Sequence, residues 1–496
     1  MFLMDWRNGL VVTGPRAQDV WFGADPRDAL LCLLGTRVTR HRTQVIQGIL
    51  AVRYFYSLTP ACEMHYCAYR GLARDSTVAT PIGFDISLVT LKGERKLTLP
   101  EEERMIRPMR AVVLVATAAA FAFAPLAGAQ QKIKIGFITT LSGPAGIIGK
   151  DMKQSVELAV EHLGGKMAGI PVEVIFGDDQ RKPDVGVQVA EEMLKKNKVD
   201  FVSGIIWSNI MLAVAPVVTS AGTIMVGTNA GPHQLAGEMC NERFFTTSWQ
   251  NDSTPEAMGK HLQDLGLNDV YLIAPNYAAG RDMLNGFKRY FKGHIAAEVY
   301  TKLGQQDYQA ELSQLRAAKP KAVFVFLPGG MGIQFLKQYS QAGLRDQFPL
   351  YSVYTVDNLS LPAVRQAALG QFETRYWSAD LKNPANEKFV GDYKKKYGKL
   401  PSFYGAQSYD GIMLIDSAVR AVKGNLKDQK GMIAAMAKAD YASTRGKYTY
   451  NVNHFPIQNY YLLKAVKGEG DVPVMQIQKA VFENHKDSFY TKCKMK

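Results

Sequence analysis

At 496 residues, 47% of them hydrophobic and 21% charged, the chain can bury one large or several medium cores, which excludes a disordered or fibrous protein. The formal charge of +14 raises the question of nucleic acid, but the Lys and Arg residues are spread along the whole length and form no arm or Arg-rich helix, so no nucleic-acid partner is expected. The five cysteines (Cys32, Cys62, Cys67, Cys240 and Cys493) include no CxxC pair, so zinc and thioredoxin-type chemistry lack their minimum spacing, and neither metal nor cofactor is expected.

Residues 1–104 hold three of the five cysteines and no convincing helix or strand series. From Met105 the chain reads MIRPMR, then an apolar run over 111–126, then Ala127-Gly128-Ala129 before Gln130. This is the charged, apolar and small-x-small order of a secretory signal, read as residues 105–129. A membrane anchor is the alternative, but about 17 apolar residues fall short of the roughly 20 that a spanning helix needs. No Cys follows the cleavage site, so a lipid anchor is not indicated. Because the export machinery reads such a signal as the chain emerges, residues 1–104 are read as translated upstream sequence from a mis-assigned start. The rival is a cytoplasmic domain before an anchor helix.

After Gln130 strands and helices alternate. Residues 132–138 alternate like a strand end and run into the loop Leu141-Ser142-Gly143-Pro144, followed by a helix with Met152, Val156, Ala159 and Leu163 on one face. Strands follow over 172–176, 201–206 and 223–226, with helices over 185–196 and 210–220. A second series has strands over 270–273, 298–302, 322–327 and 350–354, with helices over 280–291, 308–318 and 333–341. Helices over 386–396 and 404–422 come next, and the aromatic-rich stretch 448–463 reads as closing strands. The expected fold class is therefore α/β, with two doubly wound parallel lobes. Ligands bind at the carboxyl ends of strands in such sheets, so two facing lobes make a cleft.

Enzymatic motifs are missing from this part of the chain: no GxxxxGK[ST], GxSxG, HExxH or strand-linked GxGxxG occurs, and no enzyme is expected. Asp178-Asp179 is the one tight carboxylate pair. Placed after a strand and before Pro183 and a helix, it reads as a loop that helps to cap that helix rather than as an acid/base pair.

IGFITTLSGPAGIIGKDM, VIFGDDQRKPDVGVQVAEEML, VSGIIWSN and APNYAAGRDML stand in one order over residues 132–466. In that order they resemble the branched-chain amino-acid type of periplasmic solute-binding proteins of ATP-driven transporters. The resemblance implies two Rossmann-like lobes joined by three crossovers (130–248 with 379–450, and 249–378 with 451–480, before a tail over 481–496). It also implies a monomer in the periplasm that closes by hinge motion on a small carboxylate ligand and hands it to membrane permease subunits of an ABC transporter. By position in the family pattern, Ser142, Gly143 and Ala145 line the cleft. Ser208 with Asn209 holds the ligand carboxylate at a helix start. Thr228, Asn229 and Ala230 form the second carboxylate-holding segment, and Tyr277 enters from the opposite lobe.

Departures from the family pattern shift the expected ligand. Members that take amino acids place an acidic side chain beyond the strand at 350–354, because a desolvated ammonium needs a charged acceptor. Here Tyr354, Thr355 and Val356 stand there, with only Asp357 nearby. A family cleft tyrosine is replaced within Pro328-Gly329-Gly330, and the cysteines that bridge in some members are Arg181 and Trp207. Trp207, Phe326, Tyr354 and Tyr277 are able to frame a flat cavity, although each also fits a core. An aromatic acid is therefore expected, and the C-terminal phrases SFYGAQSYDG and NVNHFPIQNYYL resemble members that take up such acids. A branched-chain or other amino acid, or a ligand-sensing ectodomain, is the alternative. Removal of residues 1–129 leaves Cys240 and Cys493, an even number in an oxidising compartment, which are expected to pair.

Overall fold

The computed structural model describes residues 45–46, 49–50 and 132–495. The readings of residues 1–104 and 105–129 lie outside the described residues, except for Val45–Ile46 and Ile49–Leu50, which pair antiparallel. From Lys132 the chain alternates as its hydrophobic periodicity demands. Strand β1 (Ile133–Thr139) is buried over almost its whole length, as a central parallel strand covered on both faces must be. Helix α1 (Gly146–His162) follows, burying Ile148, Met152, Val156 and Ala159 as one stripe. Next come β2 (Ile170–Asp178), α2 (Pro183–Glu192), β3 (Phe201–Gly204), α3 (Ser208–Ser220), β4 (Ile224–Gly227) and β5 (Phe244–Thr246). Pro183 opens α2, where the missing N–H has no intrahelical acceptor to lose. The strand order is β2-β1-β3-β4-β5, all parallel, edged by an antiparallel pair at Lys166–Met167.

The chain then crosses to a second sheet through α4 (Ser253–Asp264). It continues through β6 (Asp269–Pro275), α5 (Ala278–Tyr290), β7 (His294–Thr301), α6 (Gln309–Ala318), β8 (Ala322–Val325), α7 (Gly330–Gln341), β9 (Leu350–Ser352) and β10 (Phe372–Arg375). It crosses back to α8 (Pro384–Tyr397) and α9 (Phe403–Ala421), which packs on α1, and to α10 (Gln429–Met436). A third crossing brings it to β11 (Pro456–Val466) and β12 (Val474–His485). The second sheet runs β7-β6-β8-β9-β10-β11-β12, parallel through β10 and antiparallel for the last two strands. Two α/β lobes are what the alternation implied, and the three crossings are what the family resemblance implied. Strand β12 runs to His485, so residues 481–485 belong to a sheet rather than to a polar tail.

Cys240, between β4 and β5, is bonded to Cys493, with Cα atoms 5.6 Å apart. Since β12 belongs to the second sheet and Cys240 to the first lobe, the bridge makes the C-terminal segment a fourth connection between lobes. Other contacts hold that segment: Ser488 donates to Glu256 (2.8 Å), Phe489 stacks on His233 (5.0 Å), and Lys492 pairs with Glu238 (3.2 Å). Reduction of the bridge is expected to lower unfolding stability by less than about 2 kcal/mol, because the segment is already docked and the cross-link restrains little further freedom. Limited proteolysis with and without reductant checks this: cleavage within 486–495 should accelerate on reduction, and unchanged cleavage would contradict it.

Candidate ligand-binding cleft

In each parallel lobe a helix starts immediately after a strand ends, so helix N-termini gather on the side where the two lobes meet. Two of them reach one cavity of about 300 Å³ of empty space, counting its open mouth: α3 with Ile206, Trp207 and Ser208, and α5 with Tyr277 and Ala279; the loop before a third helix, α7, adds Phe326 and Pro328. None of the three has a side-chain cap. The first intrahelical donors are Met211, Arg281 and Ile333, which leaves the preceding N–H groups of each helix without a helical acceptor. The dipoles of α3 and α5 give the cavity a positive bias.

Its walls are aromatic. Trp249 stacks on Tyr354 (centroids 4.2 Å apart, 21° between planes), Tyr277 lies parallel to Phe326 (6.3 Å, 20°), and Trp207 meets Tyr277 edge-on (6.0 Å). Trp207 belongs to the first lobe and Tyr277 to the second, so their contact spans the lobes. Tyr404, at the start of α9, and Met283 complete the lining. Burial pushes the Tyr277 and Tyr404 hydroxyls well above the usual phenol range, so both remain neutral donors. The indole N–H of Trp249 is buried without a partner. None of the lining residues carries a charged side chain.

Strain marks the same loops. Ile205 (φ 69°), just before α3, and Tyr354 (φ 53°), just after β9, both hold left-handed backbone that a side chain disfavours. Tyr354 is kept there by Glu373 of β10, a fully buried carboxylate that accepts the N–H groups of Tyr354 (3.0 Å) and Val356 (2.8 Å) and the Ser352 hydroxyl (2.9 Å). Arg375, equally buried, balances it with Nε 2.6 Å from Glu373 Oε1.

Of the residues singled out from the sequence, Trp207, Ser208, Asn229, Ala230, Tyr277, Phe326 and Tyr354 line this cavity. The others do not. Ser142 and Gly143 are exposed, and Ala145 is buried beside them, where the first loop approaches α7 so closely that a Cβ on Gly330 would meet Pro144 at 3.2 Å. Asn209 follows Ser208 into α3, and Thr228 is buried behind the wall, accepting from Ser408. Asp357 turns away from the cavity to accept the N–H groups of Leu359 and Ser360 (2.8 Å each), and burial pushes its pKa up to about 6. Asp178 and Asp179 tie down the first loop, Asp178 through the N–H groups of Leu141 and Gln180 and Asp179 through Thr140 and the N–H of Arg181. Thr140 in turn receives the Trp207 indole N–H (2.8 Å), so this pair props up a cavity wall. Trp249 and Asn251 went unread because no motif marks them, and a tryptophan in the polar segment between a strand and a helix was the available signal; Met283 and Tyr404 lie within the phrases APNYAAGRDML and SFYGAQSYDG but were not singled out there.

Residues 132–470 match the family described as periplasmic binding protein. The chain belongs to that family. Among curated relatives, Leu/Ile/Val-binding protein homolog 6 of Brucella melitensis is 28% identical over 372 residues, 73% of this chain and 94% of its own length. Among solved structures, the solute-binding protein of an ABC transporter from R. palustris in complex with benzoate is 27% identical, with a TM-score of 0.69, covering 73% of this chain and all of its own. A solute-binding protein of an ABC transporter from Rhodopseudomonas palustris BisB5, in complex with 3,4-dihydroxybenzoic acid, is 30% identical with a TM-score of 0.67 and covers 72% of this chain and 99% of its own. The two-lobed, type I architecture of the family is the architecture described above. Among the described residues, no helix is long and apolar enough to cross a membrane, and no cluster of three metal-ligating side chains occurs.

Proposed function

We propose that this protein is the periplasmic solute-binding component of an ABC uptake transporter, exported through residues 105–129, and that it captures an aromatic carboxylic acid between its lobes for delivery to permease subunits. The observation that carries the ligand class is the cavity lining: aromatic walls, two uncapped helix N-termini and no acidic side chain. A carboxylate matches the helix dipoles and neutral donors, and a ring matches the walls. An amino acid would also bury its ammonium, and the acids nearest the lining residues are all engaged elsewhere: Asp252 with Arg289, Asp282 with His233 and Asn251, and Asp357 and Glu373 within their own loops. Desolvating an unpaired ammonium costs several kcal/mol, by order of magnitude. The benzoate and dihydroxybenzoate complexes of the related solute-binding proteins support the same class. An amino-acid ligand, which the Leu/Ile/Val-binding relative favours, is the second reading.

A thermal-shift panel decides between them, because a ligand that binds only the folded state stabilises it by about 2.7 kcal/mol at a hundred times its Kd. Benzoate, 4-hydroxybenzoate and cinnamate should raise the melting temperature, and leucine and valine should leave it unchanged. The reverse order would remove the aromatic-acid reading.

A further inference from the structure

Ser208 is the one hydroxyl placed at the N-terminus of α3 within the cavity, and a hydroxyl by itself donates or accepts as its surroundings dictate. Here its surroundings are fixed. The side chain of Asn251, in the first crossing, gives one amide N–H to Ser208 Oγ (3.0 Å) and the other to Asp282 Oδ2 of α5 (2.8 Å). The amide is oriented unambiguously, since Asn251 Oδ1 receives the backbone N–H of Gly231 (3.1 Å), which can only donate. Gly231 has to be glycine for this approach: a Cβ there would lie 1.9 Å from the carbonyl oxygen of Trp249. Asp282 is held in turn by His233, whose Nδ1 lies 2.7 Å from Oδ1.

We propose that Asn251, held between Gly231 and Asp282, is a positioning residue that sets the ligand specificity of Ser208. The Asn251 amide fills one of the two lone pairs of Ser208 Oγ, and the Ser208 proton, which has no other acceptor among the described residues, is free to meet an acceptor on the ligand. The hydroxyl thus keeps its donor for an acceptor oxygen and has one lone pair instead of two left for an ammonium. Ser208 stands on the first lobe, Asp282 on the second and Asn251 on the crossing, so the relay is complete only when the lobes meet. The inference deepens the aromatic-acid reading and rests on it.

The test compares benzoate with benzamide, its neutral isostere that brings N–H donors, by calorimetry on four proteins: wild type, Asn251→Asp, Ser208→Ala and the double variant. An aspartate at 251 has no N–H to give Ser208; it shares a proton with Asp282 across their 2.8 Å contact, and its oxygen accepts the Ser208 proton, which turns the hydroxyl's lone pairs into the cavity. The ratio of benzoate to benzamide affinity is expected to fall by about tenfold or more in Asn251→Asp. The added charge alone would lower that ratio equally in both backgrounds, whereas the relay predicts a clearly smaller fall when Ser208 is already alanine. Asn251→Ala serves if Asn251→Asp does not fold, and should lower the ratio only while Ser208 is present. Equal falls in both backgrounds, or an unchanged ratio in a folded variant, overturn the relay and leave the aromatic-acid reading standing. Failure of the wild type to bind benzoate overturns that reading and the relay with it.

Discussion

Replacement of Glu373 by alanine is expected to lower unfolding stability by about 3–5 kcal/mol, among the largest effects of any single substitution in the chain. Glu373 and Arg375 form a buried pair on β10, each at most 1% exposed, and removing the carboxylate leaves the guanidinium uncompensated in the core. It also strands the N–H groups of Tyr354, Thr355 and Val356, which the carboxylate gathers. Each buried donor left without a partner adds about 1–3 kcal/mol before relaxation. Because that loop holds Tyr354 at positive φ against the cavity, ligand affinity should fall together with stability. Glu373→Gln keeps the shape and an acceptor oxygen, so it should lie between wild type and Glu373→Ala. Urea unfolding measures both, and a loss under about 1 kcal/mol for Glu373→Ala would contradict the assignment of Glu373 as the hub of this loop.

Truncation of Tyr277 to alanine is expected to weaken aromatic-acid binding by about 2–4 kcal/mol, roughly 30-fold to several hundred-fold. Its ring lies between Trp207 of the first lobe and Phe326 of the second, so truncation removes ligand contact and a lobe-closing contact at once. Tyr277→Phe separates the two contributions of the side chain. If the ring carries the effect, Phe should cost less than about tenfold, the range of one neutral hydrogen bond. Equal losses for Phe and Ala would move the emphasis from the ring to the hydroxyl, and no loss for either would remove Tyr277 from the site.

The alternation of strands and helices was legible because most elements bury apolar stripes or runs, as β1 and α1 do. Helix α4 and strand β10 were not, and both for one reason. Helix α4 buries Ser253, Thr254, Glu256 and His261 along with its apolar residues, and β10 is Phe-Glu-Thr-Arg with the Glu and Arg inside. Apolar periodicity cannot show an element whose buried face is polar and satisfied by partners from elsewhere in the chain. Strand β12 was missed for the opposite reason, since half of its residues are exposed and only Met475 is buried. At the site, residues that directly follow strands, such as Ser208 and Tyr277, could be placed from the pattern alone. Trp249 and Asn251 reach the cavity from a crossing between lobes, and Tyr404 from the first turn of α9, which packs on α1 of the first lobe, so their placement depends on tertiary geometry that the local sequence does not encode.

The central claim is that the inter-lobe cavity takes an aromatic carboxylate in preference to an amino acid, and isothermal titration of the purified protein with benzoate and with leucine tests it most directly. The account predicts one-to-one binding of benzoate with a negative heat-capacity change, from burial of the ring among Trp207, Tyr277, Phe326 and Tyr354, and leucine affinity weaker by about tenfold or more. Tight one-to-one binding of leucine with no detectable binding of benzoate would contradict it.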